Sequence, residues 1–113
     1  MDPDLQRRNE SRARIVKAMA HPTRLFIVEQ LAERPHCVCE LTEMVGADIS
    51  TVSKHLAILR NVGIVEAERD ATRIYYSLRC PCVLNFFACV EEVLSRTRAC
   101  GERVASACAG SSE

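Results

Sequence analysis

Apolar positions in this 113-residue chain recur at helical spacing in most of its length and alternate at strand spacing near residue 75, with polar stops between them. Residues 6 to 19 carry Ile15, Val16, Ala18 and Met19 as a weak stripe on a charged segment, which predicts a first helix. In HPTRLFIVEQLAE, Pro22 takes the first helical position. Leu25, Phe26, Ile27, Val28 and Leu31 are apolar on more than one face, so a buried second helix is expected, ending at Pro35. Residues 37 to 45 read as a short third helix, with Leu41, Met44 and Val45 on one side and Glu40 and Glu43 on the other. Gly46 suits its left-handed C-terminal position. In DISTVSKHLAILRNVG, Val52, Leu56 and Leu59 form an inner face and Thr51, Lys54, His55 and Ile58 an outer one. Asp48 or Ser50 caps this fourth helix and Gly63 closes it.

IVEAER and TRIYYSL are β-prone runs flanking Asp70 and Ala71, and they predict a hairpin. Its second strand points Ile74, Tyr76 and Leu78 one way and Arg73, Tyr75 and Ser77 the other. A last helix of about 15 residues starts at Val83, with Val83, Phe86, Phe87, Val90 and Leu94 on one stripe. From Gly101 the chain is small and polar. The pattern therefore predicts a mainly α protein with a small β-hairpin (α+β): one domain over residues 1 to 99 and a flexible tail over 100 to 113.

Two short helices joined by a turn near Gly46, with a polar outer face on the second and a hairpin after it, make a winged helix-turn-helix. The expected partner is double-stranded DNA. Ser50, Thr51, Ser53, Lys54 and His55 are placed to meet a major groove, and Arg69 and Arg73 on the hairpin to reach an adjacent backbone or minor groove. A solvated helix surface would show the same periodicity. Net charge is zero, so composition does not argue for DNA, although Arg7, Arg8, Arg12, Arg14 and Lys17 make the first segment locally basic. The apolar fraction of 48% and charged fraction of 27% are those of a globular protein. No apolar run suits a membrane span and no secretory signal is evident, so a cytoplasmic location is expected. Seven cysteines are many for a compartment that keeps thiols reduced, and they favour metal binding or thiolate chemistry over disulfides.

Four segments, AHPTRLFIVEQL, CVCEL, STVSKHLAILRNVGIV and RIYYSL, stand in the order and at the separations that mark the ArsR–SmtB family of metal- and metalloid-responsive bacterial repressors. The resemblance covers roughly residues 10 to 95 and is most specific to the arsenic-sensing branch. It implies a homodimer paired through the first and last helices, which binds a palindromic operator when metal-free and releases it on binding metal. The stripe of Val83, Phe86, Phe87, Val90 and Leu94 suits such an interface, since so small a domain leaves it little else to cover. The chain departs from many relatives in having His21 before Pro-Thr-Arg, which bears on a helix cap.

In that branch CVC marks the inducer site, and Cys37 and Cys39 match it. In a continuous helix the two residues diverge by about 200°. A soft ion with bonds of roughly 2.3 Å needs its sulfurs within about 4 Å, so the helix start must open there. Pro35 leaves Cys37 free to be non-helical, and the unfilled N–H groups favour its thiolate. Some relatives carry a third cysteine where this chain has Thr42, so a third sulfur has to come from elsewhere. Cys80, Cys82 and Cys89 form a second cluster outside that pattern. Three arrangements are open: a site at Cys37 and Cys39, a separate site at Cys80, Cys82 and Cys89, or one joining both pairs. Bland alternatives are that Cys37 and Cys39 merely pack against the second helix, that Cys89 is a small apolar residue in a dimer core, and that His36 is a surface residue. Cys100 and Cys108 have no assigned role.

Sulfur donors favour arsenite, antimonite, Cd(II), Pb(II), Hg(II) or Cu(I) over harder ions; the resemblance implies arsenite or antimonite as inducer, with the other four as alternatives. The last helix lacks the His that Zn(II), Ni(II) and Co(II) sensors place there, so those metals are disfavoured. No cofactor for folding and no enzyme activity are expected: neither C-x-C pair is a C-x-x-C redox motif, and no phosphate-cradling loop is present. Competing readings are a thiol redox switch on the same fold and a structural zinc site closed by Cys37, Cys39, Cys80 and Cys82.

Overall fold

The structure, a computed structural model, describes the backbone of residues 1 to 103 and the side chains as far as Arg98. It contains two compact units, one spanning Met1–Pro81 and one beginning at Cys82.

The first unit opens with α1 (Pro3–Met19), three residues before the predicted start at residue 6. The Asp2 carboxylate accepts from the backbone of Leu5 and Pro3 takes the first turn, so a cap rather than an apolar face sets this start. Only Ala18 and Met19 of this helix are buried. α2 (Pro22–Glu33) is capped by His21, whose Nδ1 accepts from Thr23 N at 3.1 Å. Ile27, Val28 and Leu31 enter the core while Leu25 stays at the surface.

β1 (His36–Cys37) is a two-residue strand that hydrophobic periodicity does not show. It pairs antiparallel with the hairpin, His36 opposite Tyr76 and Cys37 opposite Tyr75. α3 (Val38–Val45) buries Leu41 completely, leaves Met44 exposed, and ends at Gly46 with a φ of 80°. That left-handed turn needs no Cβ and aims the chain into α4 (Ile49–Asn61). Asp48 caps α4, and Val52, Leu56 and Leu59 are fully buried. The inner face read from the sequence is therefore the observed core face.

β2 (Val65–Asp70) and β3 (Arg73–Leu78) form the wing hairpin. Asp70 opposes Arg73, so the turn is Ala71–Thr72, one residue later than Asp70-Ala71, and Ala71 takes a φ of 59°. The sheet order is β1-β3-β2. Because β3 is the middle strand, Tyr75 to Leu78 are all half-buried, and the expected two-sided alternation is blurred.

In the second unit α5 (Val83–Arg103) runs 21 residues, past the expected 15 and through the boundary placed at residue 99. Phe86, Val90, Val93 and Leu94 are exposed in the single chain, and Val83 and Phe87 half-buried. Cys108 lies outside the described residues, as does the side chain of Cys100. No described helix is long and apolar enough to cross a membrane.

Candidate metalloid and DNA sites

Cys37 is the N-cap of α3, with extended backbone at φ −83° and ψ 164°. Its conformation lies outside the helix, so its side chain is free of the 100° per residue rotation that would carry it away from Cys39. The two Sγ atoms stand 3.1 Å apart, within the span one soft ion bridges. Cys37 is buried and Cys39 exposed, so the pair has one sulfur in the core and one open to solvent.

Glu40 holds this geometry. Its Oε1 accepts from Cys37 N at 3.1 Å, while the backbone N–H of Glu40 faces the Cys37 sulfur, the reciprocal pattern of a capping box with cysteine in the place of serine. Hydrogen bonds from Cys37 N and then from Arg34 hold the Glu40 carboxyl below its ordinary range. His36 is 3% exposed, which corrects its reading as a surface residue: pairing with Tyr76 draws it into the sheet. Its Nδ1 lies 3.4 Å from Glu40 Oε1, yet neither ring nitrogen completes a hydrogen bond.

The electrostatics make the two thiols unequal. Burial pulls the Cys37 thiol up, but bonds from the Cys39 S–H and the Glu40 N–H outweigh it and leave Cys37 below its ordinary value. Cys39 is pushed up, mainly by giving its hydrogen bond to Cys37, and Arg73 works against that rise. The two thiols titrate as a pair, with the contact between the sulfurs lowering Cys37 and raising Cys39. Arg73 on β3 adds an N–H to the same sulfur, Nη1 to Sγ 3.9 Å.

Two sulfurs are what this site supplies. Thr42, at the position of a third cysteine in some relatives, turns its hydroxyl back to Val38 O at 2.7 Å. Among the described residues no group of three or more His, Cys, Asp or Glu is arranged to hold a metal ion. Cys80 sits elsewhere in the first unit, its Sγ 3.9 Å from Gly63 O. Cys37 opposes Tyr75, and a strand rise of about 3.3 Å per residue carries Leu78 some 10 Å further on, with Cys80 beyond it. Cys80 is therefore remote from Cys37 and Cys39 within one chain. In the second unit Cys82 precedes α5, where its carbonyl accepts from Asn85 N, and Cys89 lies one helical face along. Seven residues of helix separate those two by about 10.5 Å.

The outer face of α4 is exposed at Ser50, Thr51, Ser53 and Lys54, as are Arg69 and Arg73 on the wing. Not all are equally free. Asp48 takes hydrogen bonds from the backbone of Thr51 and the hydroxyl of Ser50, and the Thr51 and Ser50 hydroxyls hold its carboxyl below the ordinary range. His55 departs most from its expected place. Its ring is half-buried against His21, centroids 4.5 Å apart, with Nδ1 buried and unpartnered. Burial, then the neighbouring His21 and Arg24, pushes His55 below its ordinary value. The residues that sequence reasoning missed here are Glu40, whose spacing three after Cys37 was a legible capping signal, and His21 as a packing partner of α4.

A model of the family described as "Bacterial regulatory protein, arsR family" matches residues 21–67. The chain is 39% identical over 90 residues to the HTH-type transcriptional regulator YgaV of Escherichia coli, covering 79% of this chain and 91% of that one. The solution structure of the homodimeric winged helix-turn-helix DNA-binding domain of Mb0332 from Mycobacterium bovis superposes with a TM-score of 0.72 at 32% identity, covering 84% of this chain and 88% of that one. The crystal structure of the transcriptional repressor BigR from Xylella fastidiosa superposes with a TM-score of 0.68 at 30% identity, covering 82% and 95%. Each of these relatives is described as a regulator of transcription. With its winged helix-turn-helix, its polar reading face and its likeness to these regulators along most of its length, the chain belongs to the ArsR family of bacterial transcriptional regulators.

Proposed function

We propose that the protein is a homodimeric repressor that holds operator DNA when metal-free and lets go when Cys37 and Cys39 capture trivalent arsenic or antimony. The observation that carries this reading is the 3.1 Å approach of the two sulfurs at the first turn of α3. With arsenite the step balances as two thiols and As(OH)3 giving a cyclic dithiolate that keeps one As–OH, with two waters released. A third thiol replaces that hydroxyl with release of a third water. Closing a ring between an N-cap residue and a residue of the first turn imposes its own S–S spacing on α3. Since α3 packs directly on α4, the reading helix moves with it. Thr51, Ser53 and Lys54 would meet DNA first, with Ser50 held by its cap and Arg69 on the wing. His55, packed against His21 with the rings tilted by 46°, supports the posture of α4. The dimer would form through α1 and the exposed Phe86, Val90 and Leu94 of α5, with Val83 and Phe87 beside them.

The same short contact supports a second reading, in which a peroxide oxidises Cys37 and Cys39 to a disulfide that releases DNA and a dithiol restores it. One titration separates the two. Reduced, metal-free protein is bound to an inverted-repeat fragment from its own upstream region and followed by fluorescence anisotropy. Release by stoichiometric arsenite or antimonite under reducing conditions supports the first. Release by peroxide alone, reversed by dithiothreitol, supports the second, and release by Cd(II), Pb(II), Hg(II) or Cu(I) alone keeps the repressor and changes its inducer.

A further inference from the structure

Arg73 is the first residue of β3 and follows directly on the wing turn. The register explains what it touches. Cys37 stands opposite Tyr75, so their side chains leave the sheet on one side, and Arg73, two residues before Tyr75, is the diagonal neighbour on that side. A long side chain spans such a diagonal, and Nη1 of Arg73 reaches Cys37 Sγ at 3.9 Å. Asp70 lies directly across from Arg73, yet among the described residues Arg73 forms no ion pair. Among those residues this is also the one side-chain hydrogen bond that joins the wing to the Cys37–Cys39 turn. The donor is exposed, on an element expected at the DNA, and the acceptor is buried at the start of the helix before the reading helix.

We propose that Arg73 is the residue through which the dithiol governs the wing: the Cys37 sulfur holds its guanidinium in the ligand-free protein, and ligand capture by that sulfur releases it. This rests on the reading that Cys37 and Cys39 take the inducer. A sulfur that has exchanged its proton for a bond to arsenic(III) is turned toward the new ring and away from the position in which Arg73 reaches it at 3.9 Å. It is then a poor acceptor for a guanidinium, and the wing loses its tie to α3 as α3 itself is reshaped. One event disturbs both parts of the DNA-reading surface. Arg73 is a positioning residue in this scheme, and its contribution to DNA binding passes through Cys37.

The test is a ligand-free double-mutant cycle in operator affinity, using wild type, Arg73→Gln, Cys37→Ser and the double variant. Serine keeps the helix cap, and its shorter C–O bond sets the acceptor back from a guanidinium that reaches even the sulfur only at 3.9 Å. The expected result is non-additivity, with the double variant no weaker than either single one. The salt dependence of binding should stay unchanged in Arg73→Gln, because a guanidinium held by sulfur displaces no counterions. The Arg73→Gln protein should still bind one arsenite per chain, while its release by arsenite falls below the wild-type factor to the part that α3 alone carries. Additive losses with a salt slope reduced by about one would instead make Arg73 an ordinary phosphate contact and overturn the proposal. If arsenite leaves the wild-type complex intact, the inducer reading fails, and the cycle, which uses no inducer, still decides whether Arg73 acts through Cys37.

Discussion

Cys37 meets two demands with one side chain. As an N-cap it must face the free N–H groups of α3, and as a ligand it must stand beside Cys39, and extended backbone at one residue satisfies both. Glu40 keeps that backbone in place, so Glu40→Ala should lower stability by about 1 kcal/mol in urea unfolding and weaken arsenite binding along with it. An unchanged arsenite affinity would mean that the sulfurs find each other without the cap. Ala71 offers a second test at this scale. Its φ of 59° is costly for a residue with a Cβ, and Ala71→Gly should raise stability by up to about 1 kcal/mol without altering operator affinity. Residue type alone puts the turn one residue early, because Asp70 looks like a turn residue, whereas cross-strand pairing with Arg73 makes it the last residue of β2.

Elements differ in how plainly the sequence announces them. α4 was legible because its core positions, Val52, Leu56 and Leu59, follow one spacing and its ends carry their own signals in Asp48 and Gly63. β1 was not, since two residues show no periodicity and its existence depends on β3, forty residues away in the chain. The same cause hid the burial of His36. The placing of Cys37 before the helix was readable from Pro35, but the contact with Arg73 needs the register and could not be read from spacing. The packing of α4 on α2 makes a further prediction. Burial holds folded His55 below its ordinary value, so between its folded value and about 6.5 the unfolded chain binds more protons than the folded one, and stability rises with pH. The stabilisation is complete above the unfolded value and is lost as pH falls through that window. Thermal unfolding from pH 7.5 to 5.5 should show the decline, and His55→Gln should flatten it. A decline of equal size in the variant would place the titrating group elsewhere.

At the scale of the whole molecule the single chain is unfinished. α5 exposes Phe86, Val90, Val93 and Leu94, and a second copy of the chain is the expected cover. Phe86→Glu should shift the protein toward monomer in light scattering and cost most of the operator affinity, since a palindrome is read by two chains. Operator affinity should fall steeply with salt, and Lys54→Ala should lower the slope by about one if Lys54 meets a phosphate. The second cysteine cluster belongs to this scale too. Cys80 is remote from Cys37 in its own chain, so a site uniting both pairs requires another chain or a large rearrangement. The measurement that decides most is arsenite-driven operator release compared across wild type, Cys37→Ser/Cys39→Ser and Cys80→Ser/Cys82→Ser. The account predicts that the first double variant binds the operator and stays bound at arsenite concentrations that free the wild type, while the second is released like wild type. Retention by the Cys80/Cys82 variant, with normal release of the Cys37/Cys39 variant, would contradict it and move the inducer site to the start of α5.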